Sequence, residues 1–404
     1  MSREVLVLDL GSQKVLALWG RITAEDTLEV LNVGIQDHQE AFRFGEVNRP
    51  EEALEAVERA LQKALGKHRK KLKSLPVHVA VSGRLYTTKW VKESDNISKA
   101  FPVTITEQNV RDLIHIVLNE PETDGRIIFQ FYPFVYRLDK SQETQNPVGM
   151  HARSLEVEGL AVYARTVVFR NLEELLYEAG IPEQLLTFEY QPVAASWAVL
   201  SKGDRRENLL VLDIGHAKVD YALWLEGGLR LAGSIGNGCR QAITYALAQR
   251  FEISWEKAGE LLSRLGNLLD PSAEPQTLEL SLGGQGIQRK IPRQKALREV
   301  HQELDRMVQR LQEFIGRTGR TVSGVVVVGG MAQLPGLLGY LEEKFQKTVN
   351  LGVIRGVQNL PGNGDPSLAV AAGTLKLVKE RLVKPRRRKR TPWGHVKELL
   401  RNFF

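Results

Sequence analysis

The sequence predicts an α/β fold built from two similar halves, and three observations carry that reading. Two stretches resemble each other: "EVLVLDLGSQKVLALWGRI" at 4–22 and "NLLVLDIGHAKVDYALWLEG" at 208–227. Each is an apolar strand, an Asp, an apolar residue, a Gly, a short polar turn and a second strand. The two aspartates, Asp9 and Asp213, lie about 204 residues apart, too far for a solenoid repeat and right for a duplicated domain. Val- and Leu-rich runs alternate with stretches of helical spacing, as strands alternate with helices in α/β proteins. Both halves are also interrupted, by residues 84–160 in the first and 236–300 in the second.

Taken in order, the two resembling stretches read as buried strands paired by a hairpin. "PEEALEAVERALQKALGKH" (50–68) predicts a helix with acids at its start, where the helix dipole favours them. The basic run "GKHRKKLKSLP" (66–76) reads as its solvated end. In the first interruption Thr106 is a candidate N-cap, and "RIIFQFYPFVYRLDK" is rich in strand formers. "FRNLEELLYEAGI" (169–181) predicts a helix stopped at Gly180. A long amphipathic helix is expected over 294–319, then a strand over 323–330 and a helix over 334–345.

At 404 residues the chain is long enough for two to four domains or subdomains, and its 43% apolar and 25% charged composition is ordinary. The single cysteine, Cys239, excludes an intramolecular disulfide and a cysteine-based metal site. No signal-peptide layout follows "MSREVLVLDLG", and no run of about 18 apolar residues is present to span a bilayer. The net charge of +7 is local: residues 376–404 hold 11 Lys/Arg and 2 Asp/Glu, and the rest holds 44 and 46. Any anionic partner implied by the charge therefore meets the tail.

The Asp–x–Gly turns suit phosphate binding. Asp9 and Asp213 can orient a hydrated metal ion through water, and glycines let backbone N–H groups approach phosphate oxygens. Ser12 and Gln13 add donors and Lys14 a positive charge. Gly329 and Gly330, after the strand "VVVV", would let the backbone pass close to a flat ligand such as adenosine.

This pattern resembles the actin-like ATPase superfamily, with "TFEYQPVAASWAVL" (187–200) and "DPSLAVAAGTLKL" (365–377) similar to its two connecting segments. Within it, "LDLGSQKV", "NPVGMHARSLEVEG" (146–159), "RTVVFRNLEELLYEAGI", "VVVVGGMAQLPGLLGYLEEKF" and the terminal segment resemble the bacterial cell-division family FtsA. The resemblance implies an actin-like fold of two RNase-H-like cores, each with an inserted subdomain. Its first core would comprise residues 1–83, 161–186 and a returning helix at 365–380. The family-specific insertion would be 84–160. The second core would take 187–235 and 301–364, with its insertion at 236–300. A basic linker would follow at 381–391 and a membrane-targeting helix at 392–404. The resemblance also implies ATP with Mg2+ in a cleft between the cores. Asp9, Gly11, Ser12, Gln13 and Lys14 would form the first phosphate loop. Asp213, Gly215 and His216 would lie in the second, and Gly329, Gly330 and Met331 in the adenosine loop. Gln191 falls where a residue orients the attacking water.

The second loop departs from the family pattern Asp-Ile-Gly-Gly-Gly-Thr-Thr-Asp. It reads "DIGHAKVD", so His216, Ala217, Lys218 and Val219 replace residues that would wrap a γ-phosphate. Gly259 and Leu262 stand where a Glu and a Lys would hold the nucleoside. A nucleotide-binding scaffold, at most a weak ATPase, is expected in place of a fast enzyme.

The tail carries Arg386, Arg387, Arg388, Lys389 and Arg390, and then Trp393, Val396, Leu399, Leu400, Phe403 and Phe404 at offsets 0, 3, 6, 7, 10 and 11. That spacing is one helical face. Twelve residues make about 18 Å of helix, short of a bilayer core of about 30 Å, so the segment is expected to lie in the interface of anionic lipid. A polybasic run alone would suit nucleic acid, but the apolar face would then be unexplained, and none is expected as a partner. The expected function is a membrane-associated scaffold of cell division, peripheral on the inner face of the cytoplasmic membrane at the division site. It would tether filaments of the tubulin-like protein FtsZ by their C-terminal peptide and self-associate into filaments. The alternatives are a PilM-type pilus-assembly scaffold and a metabolic kinase of the same superfamily.

Overall fold

The computed structural model describes residues 2–121, 123–270, 272–282 and 287–383. The basic and apolar tail residues from Arg386 to Phe404 lie outside the described residues, so the interfacial helix expected there does too.

Duplication is visible in the sheets. The first has the strands Leu28–Asp37, Lys14–Ile22, Arg3–Leu10, Val77–Val81 and Leu186–Tyr190 in that spatial order. The second has Gly228–Ile235, Val219–Leu225, Leu209–Ile214, Gly324–Val328 and Thr348–Leu351. In both, three antiparallel strands of a meander continue into two parallel ones. The central strands are near-continuous apolar runs because both of their faces are covered. Each Asp sits at the penultimate position of its central strand, opposite Leu16 in the first sheet and opposite Asp220 in the second. The actin-like α/β fold expected from sequence is the fold observed.

Two short-residue helices join the halves. Gln191–Val199 and Ala369–Val383 cross so tightly that a Cβ on Gly373 would collide with the Ala194 carbonyl. Only glycine permits that approach, and the crossing fixes the position of Gln191 at the start of its helix. The returning helix ends on the first core, where Arg381 grips the fully buried Glu189, which also accepts from or pairs with His78 at 3.3 Å.

The first insertion is a four-stranded sheet of Tyr86–Asn96, Arg126–Leu138, Gln142–Thr144 and Ser154–Arg165, covered by the helix Glu107–Leu118. Thr106 caps that helix in a reciprocal capping box with Asn109. The insertion also packs on the second core. Thr88 Oγ1 donates to the Ala232 carbonyl at 2.8 Å, Gln145 donates to the Glu226 carbonyl at 2.6 Å, and Arg230 lies 4.0 Å over the Trp90 ring. The cores are thus bridged twice, by the helix crossing and by the insertion.

The long helix runs Arg293–Gly316. The helix expected from residue 334 begins at Leu337, because Leu334–Gly336 form a turn whose Pro335 carbonyl accepts from the Leu268 amide at 2.9 Å. The basic run 66–76 is mostly a 3-10 turn, Gly66–Lys73. Lys71 pairs with Glu4 at 2.8 Å and Arg69 donates to the Ala179 carbonyl at 3.0 Å. Among the described residues no helix is long and apolar enough to cross a membrane.

Candidate functional site

The two Asp–Gly turns face each other across the cleft between the cores, and a chain of polar side chains joins them. Gln191, 4% exposed at the start of its helix, donates through Nε2 to Asp9 Oδ1 at 2.8 Å. Its Oε1 accepts from Lys218 Nζ at 2.6 Å and from Ser82 Oγ at 2.5 Å. Lys218 also donates to Ser82 Oγ and to Asp220 Oδ2. Asp220 is 2% exposed and takes a further hydrogen bond from Ser234 Oγ on Oδ1. Asp9, Gln191 and Ser82 belong to the first core and its connecting helix; Lys218, Asp220 and Ser234 belong to the second. The expected water-orienting residue, Gln191, therefore has both ends of its amide engaged by protein groups.

Electrostatics follow from this geometry. Burial pushes the Asp9 carboxyl up to about 6, against the pull of Lys218 and Lys14. Burial, aided by Asp220, pushes Asp213 up to about 7. Three carboxylates thus share the cleft with two lysines.

The first turn is partly exposed. Gly11 and Ser12 are half-buried, Gln13 is exposed, and Lys14 Nζ donates to Ser367 Oγ at 3.2 Å on the segment that leads into the returning helix. His38 closes the back of the turn: its Nε2 contacts the Gly11 carbonyl at 2.9 Å and its amide donates to the Gln13 carbonyl at 3.0 Å. The second turn, with Gly215 and His216 equally half-buried, makes more contacts of its own. Gly215 N–H donates to the Lys218 carbonyl at 3.0 Å, Ala217 is buried, and the His216 carbonyl accepts from the Gln241 amide at 2.7 Å. Burial lowers the His216 pKa, which keeps the imidazole neutral. Among the described residues, His38 Nδ1, His216 Nδ1 and Gln241 Oε1 are buried polar atoms without a partner, and such atoms call for a ligand or water.

The loop expected to line an adenosine, residues 329–331, is held beside the second turn. Gly329 has φ +90°, a Cβ there would collide with Asp213 Oδ1, and its amide donates to the Pro366 carbonyl at 3.1 Å. Gly330 faces open space and Met331 is buried. On the helix Trp255–Arg264, Gly259 offers no side chain and Leu262 is fully buried in apolar core. Neither can hold a nucleoside by hydrogen bonds.

The donors at the first turn fit a phosphate. The second turn does not fit a divalent metal. Magnesium demands six oxygen ligands at about 2.0–2.1 Å, and the oxygens of Asp220, Gln191 and Ser82 already converge on an ammonium. Among the described residues no three His, Cys, Asp or Glu side chains are grouped to hold a metal.

Sequence reasoning missed Ser82, Ser234 and His38, and left Lys218 without an assigned partner. Asp220 was legible as the last residue of "DIGHAKVD". Ser82 and His38 carry no local signal, since only the fold brings them to the turns. A groove of about 500 Å3 lies nearby, between Asn237 and the long helix. Its Arg306 and Arg310 pair with Glu303 and Glu313 on that same helix, so its charge is balanced.

Comparison with known proteins bears on the family and the fold. Residues 210–373 match the family model "Cell division protein FtsA", and residues 89–163 match "SHS2 domain inserted in FTSA". Between them the two models span more than half of the chain. The chain is 23% identical to "Cell division protein FtsA" of Escherichia coli (strain K12), over 93% of this chain and 90% of that one. Among solved structures it is similar to the "PilM-PilN type IV pilus biogenesis complex", with TM-score 0.64, 17% identity, and 94% and 99% of the two chains covered. It is also similar to MreB 5 of Spiroplasma citri bound to AMPPNP, with TM-score 0.56, 13% identity, and 94% and 98% covered.

Proposed function

Because the chain belongs to the FtsA family of cell-division proteins, we propose that it is a membrane-associated, actin-like scaffold that tethers FtsZ-type filaments to the inner face of the cytoplasmic membrane. The observation that supports this most is that both the second core and the family-specific insertion match FtsA models, in a chain whose sequence ends in a basic run and six large apolar residues at helical spacing. Six such side chains gain on the order of 10 kcal/mol if fully buried. Partial burial in an interface and the ordering of a short helix reduce that to a reversible anchor. Self-association strengthens it by presenting many tails at once. Division-site localisation follows from the FtsZ partner. The PilM likeness is one of fold only.

The cleft takes ATP through the first turn, where Ser12, Gln13 and Lys14 supply the donors, and hydrolysis is slow. Beyond Gly215 the second turn offers neither glycine nor hydroxyl to a γ-phosphate, and Gln191 serves as a strut between Asp9 and Lys218.

Co-sedimentation tests the scaffold. Full-length protein should carry an FtsZ-type filament down with anionic liposomes, and a chain ending at Val383 should leave both in the supernatant. Unchanged sedimentation of the shortened chain contradicts the anchor. Titration with a fluorescent ATP analogue tests the cleft, and no binding at millimolar nucleotide contradicts the ATP reading.

A further inference from the structure

Lys218 stands where the family pattern has small residues, and its ammonium is consumed by the protein itself. An ammonium has three N–H donors, and three acceptors face this one: Ser82 Oγ, Gln191 Oε1 and Asp220 Oδ2. None is left for a phosphate. The acceptors come from both sides of the cleft, and all three of those residues are buried. The site is built: Asp220 is oriented by Ser234, Gln191 by Asp9 and the Ala80 carbonyl at 3.3 Å. The Lys218 side chain is 13% exposed, so solvent does not compete strongly for it. It lies in the field of Asp9 and Asp213, the two aspartates of the turns.

We propose that the Lys218 ammonium is the resident cation of this cleft, in the place of a hydrated divalent metal, so that the cleft takes a polyphosphate without a metal ion and holds its two cores together without either. The polyphosphate half rests on the nucleotide reading above, and the cation half does not.

Two measurements on the full chain separate them. The first is thermal unfolding in EDTA and in millimolar Mg2+, with no nucleotide. The wild-type midpoint should move by less than about 1 °C. Lys218→Ala, which vacates the volume, should unfold several degrees lower in EDTA and regain part of the loss in Mg2+. Lys218→Met, which keeps the stem, should lose stability without regaining it. A wild-type midpoint raised by Mg2+ as much as that of Lys218→Ala overturns the proposal, as does a Lys218→Ala protein indifferent to Mg2+. Should that variant fail to fold, the wild-type response alone decides. The second measurement is binding of a fluorescent ATP analogue to the wild type with EDTA or Mg2+. Affinities equal within about twofold support a metal-free ligand, and an affinity at least about tenfold tighter in Mg2+ refutes it. Absence of binding in both refutes the nucleotide reading, and the thermal measurement then judges the cation by itself.

Discussion

The two Asp–Gly turns are alike in sequence and in strand position but differ in what their lysines touch. Both end a central strand at equivalent places, and both carry a lysine, five residues after the Asp in each case: Asp9 with Lys14 and Asp213 with Lys218. Lys14, half-buried at the start of its strand, donates to one hydroxyl, that of Ser367. Lys218 reaches inward across the cleft and is saturated. The difference starts at the strand partner of each Asp, Leu16 in the first hairpin and Asp220 in the second. A second carboxylate needs a counter-charge, and the lysine supplies it. One lysine thereby keeps a single hydroxyl partner while the other is saturated by groups from both sides of the cleft.

Removing each lysine should expose that contrast most strongly. Lys218→Met leaves Asp220 buried without its cation and should cost about 3–5 kcal/mol. Lys14→Met should cost no more than about 1 kcal/mol. Urea denaturation of both variants measures this, and equal losses would erase the distinction.

Gly329→Ala should damage the second turn more than the first. The substitution forces a side chain to φ +90° and into Asp213 Oδ1, at a cost of about 2–3 kcal/mol. Binding of a fluorescent nucleotide at the first turn should weaken less than stability falls, which the same preparation can report.

The pH dependence sharpens the comparison further. Asp9 and Asp213 ordinarily titrate at 3.8, and burial raises them to about 6 and about 7. Between about pH 4 and about 7 the folded chain therefore binds more protons than the unfolded chain, so their contribution to stability falls as pH rises through that window. The charges facing them are Lys218, Lys14 and Asp220. Lys218 lowers both values, so its removal raises them. The destabilisation by Lys218→Met should accordingly be larger at about pH 8 than at about pH 5. A loss independent of pH would mean that the lysine acts through packing.

Much of the fold was legible in the sequence because duplication repeats its own signal. Two similar strand–turn–strand stretches, Val-rich parallel strands and two small-residue connecting segments leave few alternative architectures. The capping of Glu107–Leu118 by Thr106 was readable from local chemistry alone. The start of the helix at Leu337 was not, since Pro335 turns to meet Leu268, about 67 residues earlier in the chain. In the cleft, "DLGSQK" could be read as a ligand loop because its donors are consecutive. The role of Lys218 could not, because its acceptors Ser82 and Gln191 lie 136 and 27 residues away and meet it only when the cores close. The sequence did show that the second loop lacks the glycines after Gly215; the structure shows what the replacement touches.

A double-mutant cycle between Lys218 and Gln191 tests the central claim most directly, because each residue belongs to a different side of the cleft. If Lys218 ties the second core to the first, the losses from Lys218→Met and Gln191→Leu should fall short of additivity by on the order of 1–3 kcal/mol. Losses that add within about 0.5 kcal/mol would show that the two side chains stabilise their own cores separately, and the contrast between the turns would be one of sequence only.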